Sequence, residues 1–148
     1  MSENSLKLNI KLTDNQSEGY PIKEESLWFD KCNGYFILKN IPFFIDEVSF
    51  DDVVSISGTS DGSYFIDFIK EKSLNSTIWV TLNDEQKGVE YIERIKKLKC
   101  STETGVLDNY YAINVPGTVD ISEVYSLIDQ AESEDVLLAD YPSIRHEE

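Results

Sequence analysis

The chain changes from strand to helix within the stretch Thr77-Ile78-Trp79-Val80-Thr81-Leu82-Asn83-Asp84-Glu85-Gln86. The part from Thr77 to Leu82 is rich in β-branched, aromatic and aliphatic residues, which is typical of a strand. Asn83 then offers a helix cap, with Gln86 at the reciprocal position of a capping box. Apolar residues recur at spacings of three and four after this point and predict an amphipathic helix with a buried stripe of Val89, Tyr91, Ile92, Ile95 and Leu98.

The rest of the C-terminal half repeats this change from strand to helix. Residues 99–104 and 109–115 predict a hairpin, after which Pro116-Gly117 breaks the chain. Asp120, with Glu123 three positions later, predicts the cap of a second helix, and residues 136–139 predict a last strand. The order β-α-β-β-α-β predicts a ferredoxin-like unit over residues 76–148. The expected buried stripe of the second helix is Ile121, Val124, Leu127, Ile128 and Ala131.

The first 75 residues predict strands joined by tight turns. Apolar and polar residues alternate from Leu6 to Thr13, as in a strand with one solvent-exposed face. Asn33-Gly34 is a strong hairpin signal because both residues accept a positive φ, and Asp61-Gly62 predicts a further loop. The expected fold is therefore α+β. An antiparallel sheet or small barrel (1–75) precedes a ferredoxin-like half (76–148), and the two halves are expected to pack together with Trp79 between them.

Between residues 25 and 80 the chain carries a pattern of short motifs. They are Leu27-Trp28, Asn40-Ile41-Pro42-Phe43-Phe44, Asp51-Asp52-Val53-Val54 and Asn75-Ser76-Thr77-Ile78. The pattern resembles an uncharacterised bacterial domain family with Leu-Trp, Asn-Ile-Pro-Phe-Phe, Asp-Val-Val and Ser-Thr-Ile motifs. The resemblance implies a small bacterial domain and carries no activity, cofactor or site residue. From the residues alone, Asn40 starts a turn, and Phe43 and Phe44 are expected to pack beneath one end of the barrel.

Catalytic and metal-binding patterns are missing from the sequence. His146 is the only histidine, and its place near the C-terminus predicts a fraying tail that is a poor position for a general base. Cys32 and Cys100 fit no CxxC pattern, and no glycine-rich phosphate loop is present. The carboxylates of the 46–52 loop do not have the spacing of a calcium loop. We therefore expect no enzyme, no metal, no cofactor and two free thiols.

Charge is the strongest functional signal. The 148 residues carry a formal net charge of -15, and the 45 residues from Cys100 to Ile144 contain nine carboxylates without one Lys or Arg. Such a surface repels nucleic acid and anionic lipid and attracts basic proteins. The expected partner is therefore a basic protein, with no nucleic acid and no membrane. The oligomeric state is not indicated.

Two groups of acids are the expected contact residues. The first group follows the second predicted helix, where unpaired acids oppose the helix dipole and are retained at a local cost. The second group lies in one loop of the N-terminal half. The groups are Asp129, Glu132, Glu134 and Asp135, and Asp46, Glu47, Asp51 and Asp52.

The expected function is that of an acidic protein-binding protein, of the class of bacterial immunity proteins or antitoxins that neutralise a basic, nuclease-type toxin. The alternative is a small-molecule-binding or regulatory module that uses the crevice between the two halves. The start of the chain, Met1 to Ser5, has no basic stretch followed by an apolar run, and no apolar stretch is long enough for a bilayer. The expected location is the cytoplasm.

Overall fold

A computed structural model describes residues 4–146. The first three residues, on which the cytoplasmic prediction partly depends, lie outside the described residues. The chain divides into two compact units, Met1–Ser73 and Leu74–Glu148, which are called unit 1 and unit 2. The predicted mixture of helices with mainly antiparallel strands is confirmed, because the strands of the described part of the chain form two sheets accompanied by three helices. The predicted packing of the two halves against each other stays a prediction.

Unit 1 is a closed five-stranded barrel in which neighbouring strands follow one another along the chain. Successive strands pair antiparallel, and the barrel is closed by a single parallel pair between Ile10 and Tyr64. Asn33 and Gly34 have φ values of 52° and 84°, so both adopt the left-handed conformation that the predicted hairpin requires. The elements are β1 (Ser5–Lys11), α1 (Asp14–Ser17), β2 (Glu24–Cys32), β3 (Tyr35–Leu38), β4 (Val53–Gly58) and β5 (Tyr64–Glu71).

The barrel interior is filled by inward residues that alternate with outward ones along the strands. Leu27 and Phe29 of β2 point inward two residues apart, as the period of a strand requires. The loop between β3 and β4 adds two apolar side chains to the same core. The buried cluster is Leu8, Ile10, Leu27, Phe29, Leu38, Ile45, Val48 and Val54.

Unit 2 is a four-stranded antiparallel sheet with two long helices. The strand order across the sheet is β7-β8-β6-β9, so β7 and β9 are the edge strands. The elements are β6 (Ser76–Leu82), α2 (Glu85–Lys97), β7 (Ser101–Thr104), β8 (Tyr110–Val115), α3 (Ile121–Ser133) and β9 (Leu137–Ser143).

One apolar cluster joins both long helices to one face of this sheet. Ile78, Val80 and Leu82 alternate along β6 and are all buried, which follows from the period of two in a strand. The helices contribute the stripes that the sequence predicts, with three exceptions: Val89 is 38% exposed, and Leu98 and Leu127 are only half-buried.

The start of α2 differs from the prediction. Asp84, not Asn83, is the N-cap, and its side chain accepts a hydrogen bond from the backbone N–H of Lys87. The side-chain amide of Asn83 instead lies 3.4 Å from the carboxylate of Asp135, and the backbone N–H groups of Asn83 and Asp84 both donate to the carbonyl of Val136, at 2.7 and 3.1 Å. Asp120 caps α3 as predicted and accepts from the backbone N–H of Ser122.

The prediction of a fraying tail around His146 is wrong. Nδ1 of His146 lies 2.7 Å from the hydroxyl oxygen of Ser76, and Nε2 lies 2.9 Å from the carbonyl oxygen of Pro116. Because a carbonyl only accepts, Nε2 carries the proton of that bond. The backbone N–H of Arg145 donates to the same Ser76 hydroxyl at 2.8 Å. The buried start of β6 therefore ties this segment down.

Candidate functional site

The exposed side of α3 presents aromatic and acidic residues next to β9. With the apolar stripe directed inward, Tyr125, Asp129 and Glu132 follow each other at spacings of four and three, which places them along one line of the helix. Asp129 is exposed, whereas Tyr125 and Glu132 are half-buried. The helix therefore offers a row of one phenol and two carboxylates to the neighbouring strand.

Tyr141 of β9 meets this row. Its ring packs edge-on against Tyr125, with ring centroids 5.6 Å apart and an angle of 83° between the planes. This is a preferred geometry for two aromatic rings. Tyr141 remains 42% exposed, so an approaching partner can reach its ring.

Negative charge converges on the hydroxyl of Tyr141. Partial burial, together with the charges of Glu132 and Asp129, raises the pKa of Tyr141 to about 12, with smaller contributions from Tyr125 and Asp140. Three carboxylates on two elements are thus close enough to oppose ionisation of one phenol. We call this surface, made of Tyr125, Asp129, Glu132, Asp140 and Tyr141, the acidic tyrosine face.

Glu132 also shapes the edge of the sheet. One of its carboxylate oxygens accepts a hydrogen bond from the backbone N–H of Ala139 at 3.2 Å. That N–H points away from β6, toward the side where another strand would pair. Pro142 removes a second donor from β9. Edge strands protected in this way resist pairing with other chains, so side chains form the accessible surface here.

The other two predicted acids of α3 lie elsewhere at the helix end. Glu134 accepts a hydrogen bond from the hydroxyl of Tyr91 at 2.9 Å, which ties it to α2. Asp135 has a φ of 59°, and its carbonyl and carboxylate oxygens each lie 3.4 Å from the side-chain amide of Asn83. The structure therefore brings Asp129 and Glu132 together beside Tyr141 and separates Glu134 and Asp135 from them by their local bonds.

These four acids have no cationic partner within residues 4–146. Their hydrogen bonds come from neutral groups, namely a backbone amide, a phenol and two side-chain amides. Arg94 lies over the ring of Tyr91, the phenol that binds Glu134, at 5.2 Å, whereas no ion pair within the described range neutralises Asp129 or Glu132.

The predicted acidic loop of unit 1 divides into exposed and structural residues. Asp46 and Glu47 are exposed, and Asp46 accepts from the side-chain amide of Gln16 at 3.1 Å. Asp51 is paired with Lys39, whose Nζ lies 2.6 Å from its carboxylate.

Asp52 is a correction to the predicted contact residues, because it is fully buried. Its carboxylate accepts from the backbone N–H groups of Ser49 and Ser73 at 2.9 and 2.8 Å, which fixes the chain before β4 and after β5. A side chain inside the protein cannot contact a partner directly, so Asp52 has a structural role.

Sequence reasoning missed a second structural carboxylate, Glu25. It is 6% exposed and accepts from the backbone N–H of Phe43 at 2.6 Å and of Phe44 at 3.1 Å. The signal was its position in the strand, because Glu25 shares the inward phase of β2 with Leu27 and Phe29. A carboxylate in an inward phase requires buried donors. Phe43 and Phe44 are themselves buried, and the ring of Phe44 lies 5.1 Å from that of Tyr20.

The two cysteines are free and lie in different surroundings. Cys32 is exposed and Cys100 is buried. Burial raises the pKa of the Cys100 thiol to about 11, so that it stays protonated at neutral pH and is a poor nucleophile. Within residues 4–146, no three His, Cys, Asp or Glu side chains are arranged to hold a metal ion. Over the same range, no helix has the length and apolar character needed to cross a membrane.

Comparison with solved structures gives a similar fold in a hypothetical protein from Neisseria gonorrhoeae. That chain is 22% identical, with a TM-score of 0.75 over 97% of this chain and 98% of the other. No curated protein matches the chain significantly. A family match extends over residues 25–138, and the predicted membership of an uncharacterised family is confirmed, whereas the residue pattern quoted for that family stays a prediction. The chain belongs to the family described as domain of unknown function DUF4265.

Proposed function

We propose that this protein is a non-enzymatic binding protein that engages a basic protein partner through the acidic tyrosine face. The observation that carries the proposal is the partly exposed ring of Tyr141, which packs on Tyr125 of the helix row that also bears the carboxylates of Asp129 and Glu132. The chain's net charge of -15 extends the same negative field over the molecule.

The chemistry of the face suits lysine and arginine side chains. A cation that approaches Tyr141 meets both the negative face of an aromatic ring and nearby carboxylates. Tyrosine is enriched among the residues that dominate binding energy, whereas rim charges mainly speed the encounter and oppose wrong partners. Tyr125 supports the ring of Tyr141 from behind. The face thus combines an anchor with electrostatic steering.

The partner class that we propose is a basic toxin of the nuclease type, which makes this protein an immunity protein or antitoxin. A nuclease cleft is cationic because it must bind the phosphates of its substrate, and an acidic protein can cover such a cleft. The same acidity opposes nucleic acid and anionic membranes as partners. A cytoplasmic location agrees with the free, exposed thiol of Cys32. No catalytic family emerges from the comparisons.

We also assign a ferredoxin-like arrangement to unit 2. The element order β6-α2-β7-β8-α3-β9 and the sheet order β7-β8-β6-β9 support this assignment. In this arrangement α3 leads directly into the edge strand β9, which explains why an acidic helix row and an exposed tyrosine of that strand become neighbours.

The test compares two variants of equal net charge. The first carries Asp129→Asn, Glu132→Gln and Asp140→Asn, which keep the side-chain shapes and an acceptor for Ala139. The matched control carries Glu85→Gln, Glu90→Gln and Glu93→Gln on the exposed side of α2. The candidate partners are basic proteins encoded by genes adjacent to the gene of this chain, purified and immobilised for measurement of association rates at several salt concentrations; adjacent genes that encode no basic protein would contradict the toxin assignment.

We expect the first variant to associate about tenfold more slowly and to show a weaker salt dependence, because long-range attraction sets the encounter rate. The control variant should stay within about twofold of the wild type. Equal behaviour of the two variants, or binding that ignores salt, contradicts the proposal. For the toxin assignment, expression of the basic protein alone should stop growth, and co-expression of this chain should restore it; unimpaired growth without this chain contradicts that assignment.

A further inference from the structure

We infer that unit 1 binds an extended basic peptide in the open seam of its barrel, where the peptide adds a strand to the free edge of β5. This inference concerns a different unit from the acidic tyrosine face, so it stands even where the proposal for that face fails.

The seam exists because β1 and β5, the two strands that close the barrel, pair over a very short length. Among the described residues, β1 pairs with β5 only at Ile10 and Tyr64, and β1 ends at Lys11 while β5 continues to Glu71. Within residues 4–146, β5 after Tyr64 has backbone pairing with β4 alone, so its second edge has no strand partner. An unpaired edge presents a row of N–H and C=O groups, which is the template for strand addition.

The free edge opens into a groove of about 600 Å³. The end of β1 and α1 line one side, β5 lines the other, and the loop segment 45–48 completes the lining. From Phe65 to Ile69 an extended chain spans about 17 Å, which is the length of roughly five peptide residues. The groove is therefore long enough for a short strand that pairs with the free edge of β5.

Apolar side chains line the groove where alternate residues of a peptide would rest. Phe65 and Phe68 are 43% and 53% exposed, which is unusual for phenylalanine in a folded protein. Ile66 and Ile69 are half-buried beside them. A bound strand would cover these rings and recover the free energy of apolar burial.

The charges on the rim of the groove favour a basic occupant. Asp46, Glu47 and Asp67 are exposed on it, whereas the one lysine that lines it, Lys11, is already paired with Asp61 at 2.8 Å. A peptide with alternating apolar and basic residues complements this rim. A second copy of this chain does not, because it would bring equal negative rims together at a net charge of -15 per chain.

The experiment uses a fluorescein-labelled decapeptide of alternating Lys and Val. Its controls are a peptide of the same sequence with every backbone amide N-methylated and a peptide with Glu in place of Lys. Binding is followed by fluorescence anisotropy with the wild type, with Phe68→Ser, and with the matched control Leu74→Ser, which removes another exposed apolar residue. Amide NMR shifts of the wild type map the site without any substitution.

We expect saturable binding of the Lys peptide with a dissociation constant of about 100 µM, and shifts concentrated between Phe65 and Ile69. Phe68→Ser should weaken binding at least about fivefold, whereas Leu74→Ser and the triple variant of the acidic tyrosine face should leave it unchanged. N-methylation should weaken binding at least about tenfold, because the peptide then has no N–H groups to donate to the carbonyl groups of β5.

Three results overturn the inference. The first is equal binding of the N-methylated peptide, which would show that charge or a small-molecule-like pocket is sufficient. The second is no binding up to about 1 mM peptide, or NMR shifts outside unit 1. The third is a concentration-dependent dimer in sedimentation that Phe68→Ser abolishes, which would make a second copy the occupant.

Discussion

The carboxylate of Glu25 lies 2.6 Å from the backbone nitrogen of Phe43 and accepts its hydrogen. This bond joins the beginning of β2 to the loop after β3, two segments that the β2–β3 hairpin separates along the chain. The other carboxylate oxygen holds the next amide, that of Phe44, at 3.1 Å. One buried side chain thus satisfies two donors of a loop that forms no strand or helix of its own.

Replacement of Glu25 therefore tests how the loop is held. Glu25→Ala leaves two buried N–H groups without this acceptor and should lower the free energy of unfolding by about 2–4 kcal/mol. Glu25→Gln retains one acceptor oxygen and should lose about half as much. Urea unfolding followed by Trp28 fluorescence, in a Trp79→Phe background, measures both. Glu24 is the exposed neighbour, and Glu24→Ala is the control. If Glu24→Ala lowers the free energy of unfolding as much as Glu25→Ala, the prediction is contradicted.

Removal of the Ser76 hydroxyl should release the segment that carries His146. Ser76→Ala removes the acceptor for Arg145 and the partner of Nδ1 of His146, and should cost about 1–3 kcal/mol of unfolding free energy. Ser126→Ala, on the exposed side of α3, should cost almost nothing. Because the chain has one histidine, its ring NMR signals report directly. Unchanged ring signals in Ser76→Ala would show that the segment is held by other contacts.

Tyr141 should ionise later than an ordinary tyrosine. Its pKa is raised from 10.0 to about 12, first by burial and then by Glu132 and Asp129. The raised pKa contributes stability that is complete below pH 10 and is lost as the pH rises toward 12, because the unfolded chain releases this proton first. When phenolate formation is followed by absorbance as the pH is raised, the ionisation step at the highest pH should be absent from Tyr141→Phe.

The triple variant of the acidic tyrosine face adds a sharper measurement. Neutralisation of the carboxylates should move the Tyr141 step to lower pH without bringing it back to the ordinary value, because burial, the larger cause, remains. The α2 control variant should not move the step. An unmoved step in the triple variant contradicts the convergence of charge on this phenol.

Thiol labelling distinguishes the two cysteines. Cys32 is exposed and should react promptly with a disulfide reagent at neutral pH, whereas the buried thiol of Cys100, with its pKa raised to about 11, should react only as the protein unfolds. Cys32→Ser should abolish the fast phase, and Cys100→Ala should leave that phase intact. Two equal fast phases in the wild type would contradict the burial of Cys100.

The elements of this fold could be predicted because local signals agree with them. Asn33-Gly34 requires two positive φ values and obtains them, and the apolar stripe of α3 is buried apart from Leu127. The first residue of α2 could not be predicted, because Asn83 and Asp84 are both good N-cap residues. The side chain of Asp84 accepts from the backbone N–H of Lys87, whereas that of Asn83 lies beside Asp135, which is 52 positions away in the sequence.

The candidate site could be predicted only in part, for a similar reason. Composition directs attention to the acids around the end of α3, yet it does not say which of them meet. Tyr141 and Asp140 enter the site because β9 returns beside α3, and Asp52 leaves it because a buried carboxylate and an exposed one look alike in sequence. Charge is visible in a sequence, whereas the neighbours of that charge are a property of the fold.

The single closing pair of the barrel has a consequence for synthesis. A nascent chain emerges from the ribosome with its N-terminus first. One edge of β1 therefore has no strand to pair with until Tyr64 of β5 has been synthesised and has emerged. During that interval β1 is exposed to other emerging chains. Lys7 and Lys11, which alternate with its apolar residues, supply the charges that discourage wrong pairing before the barrel is complete.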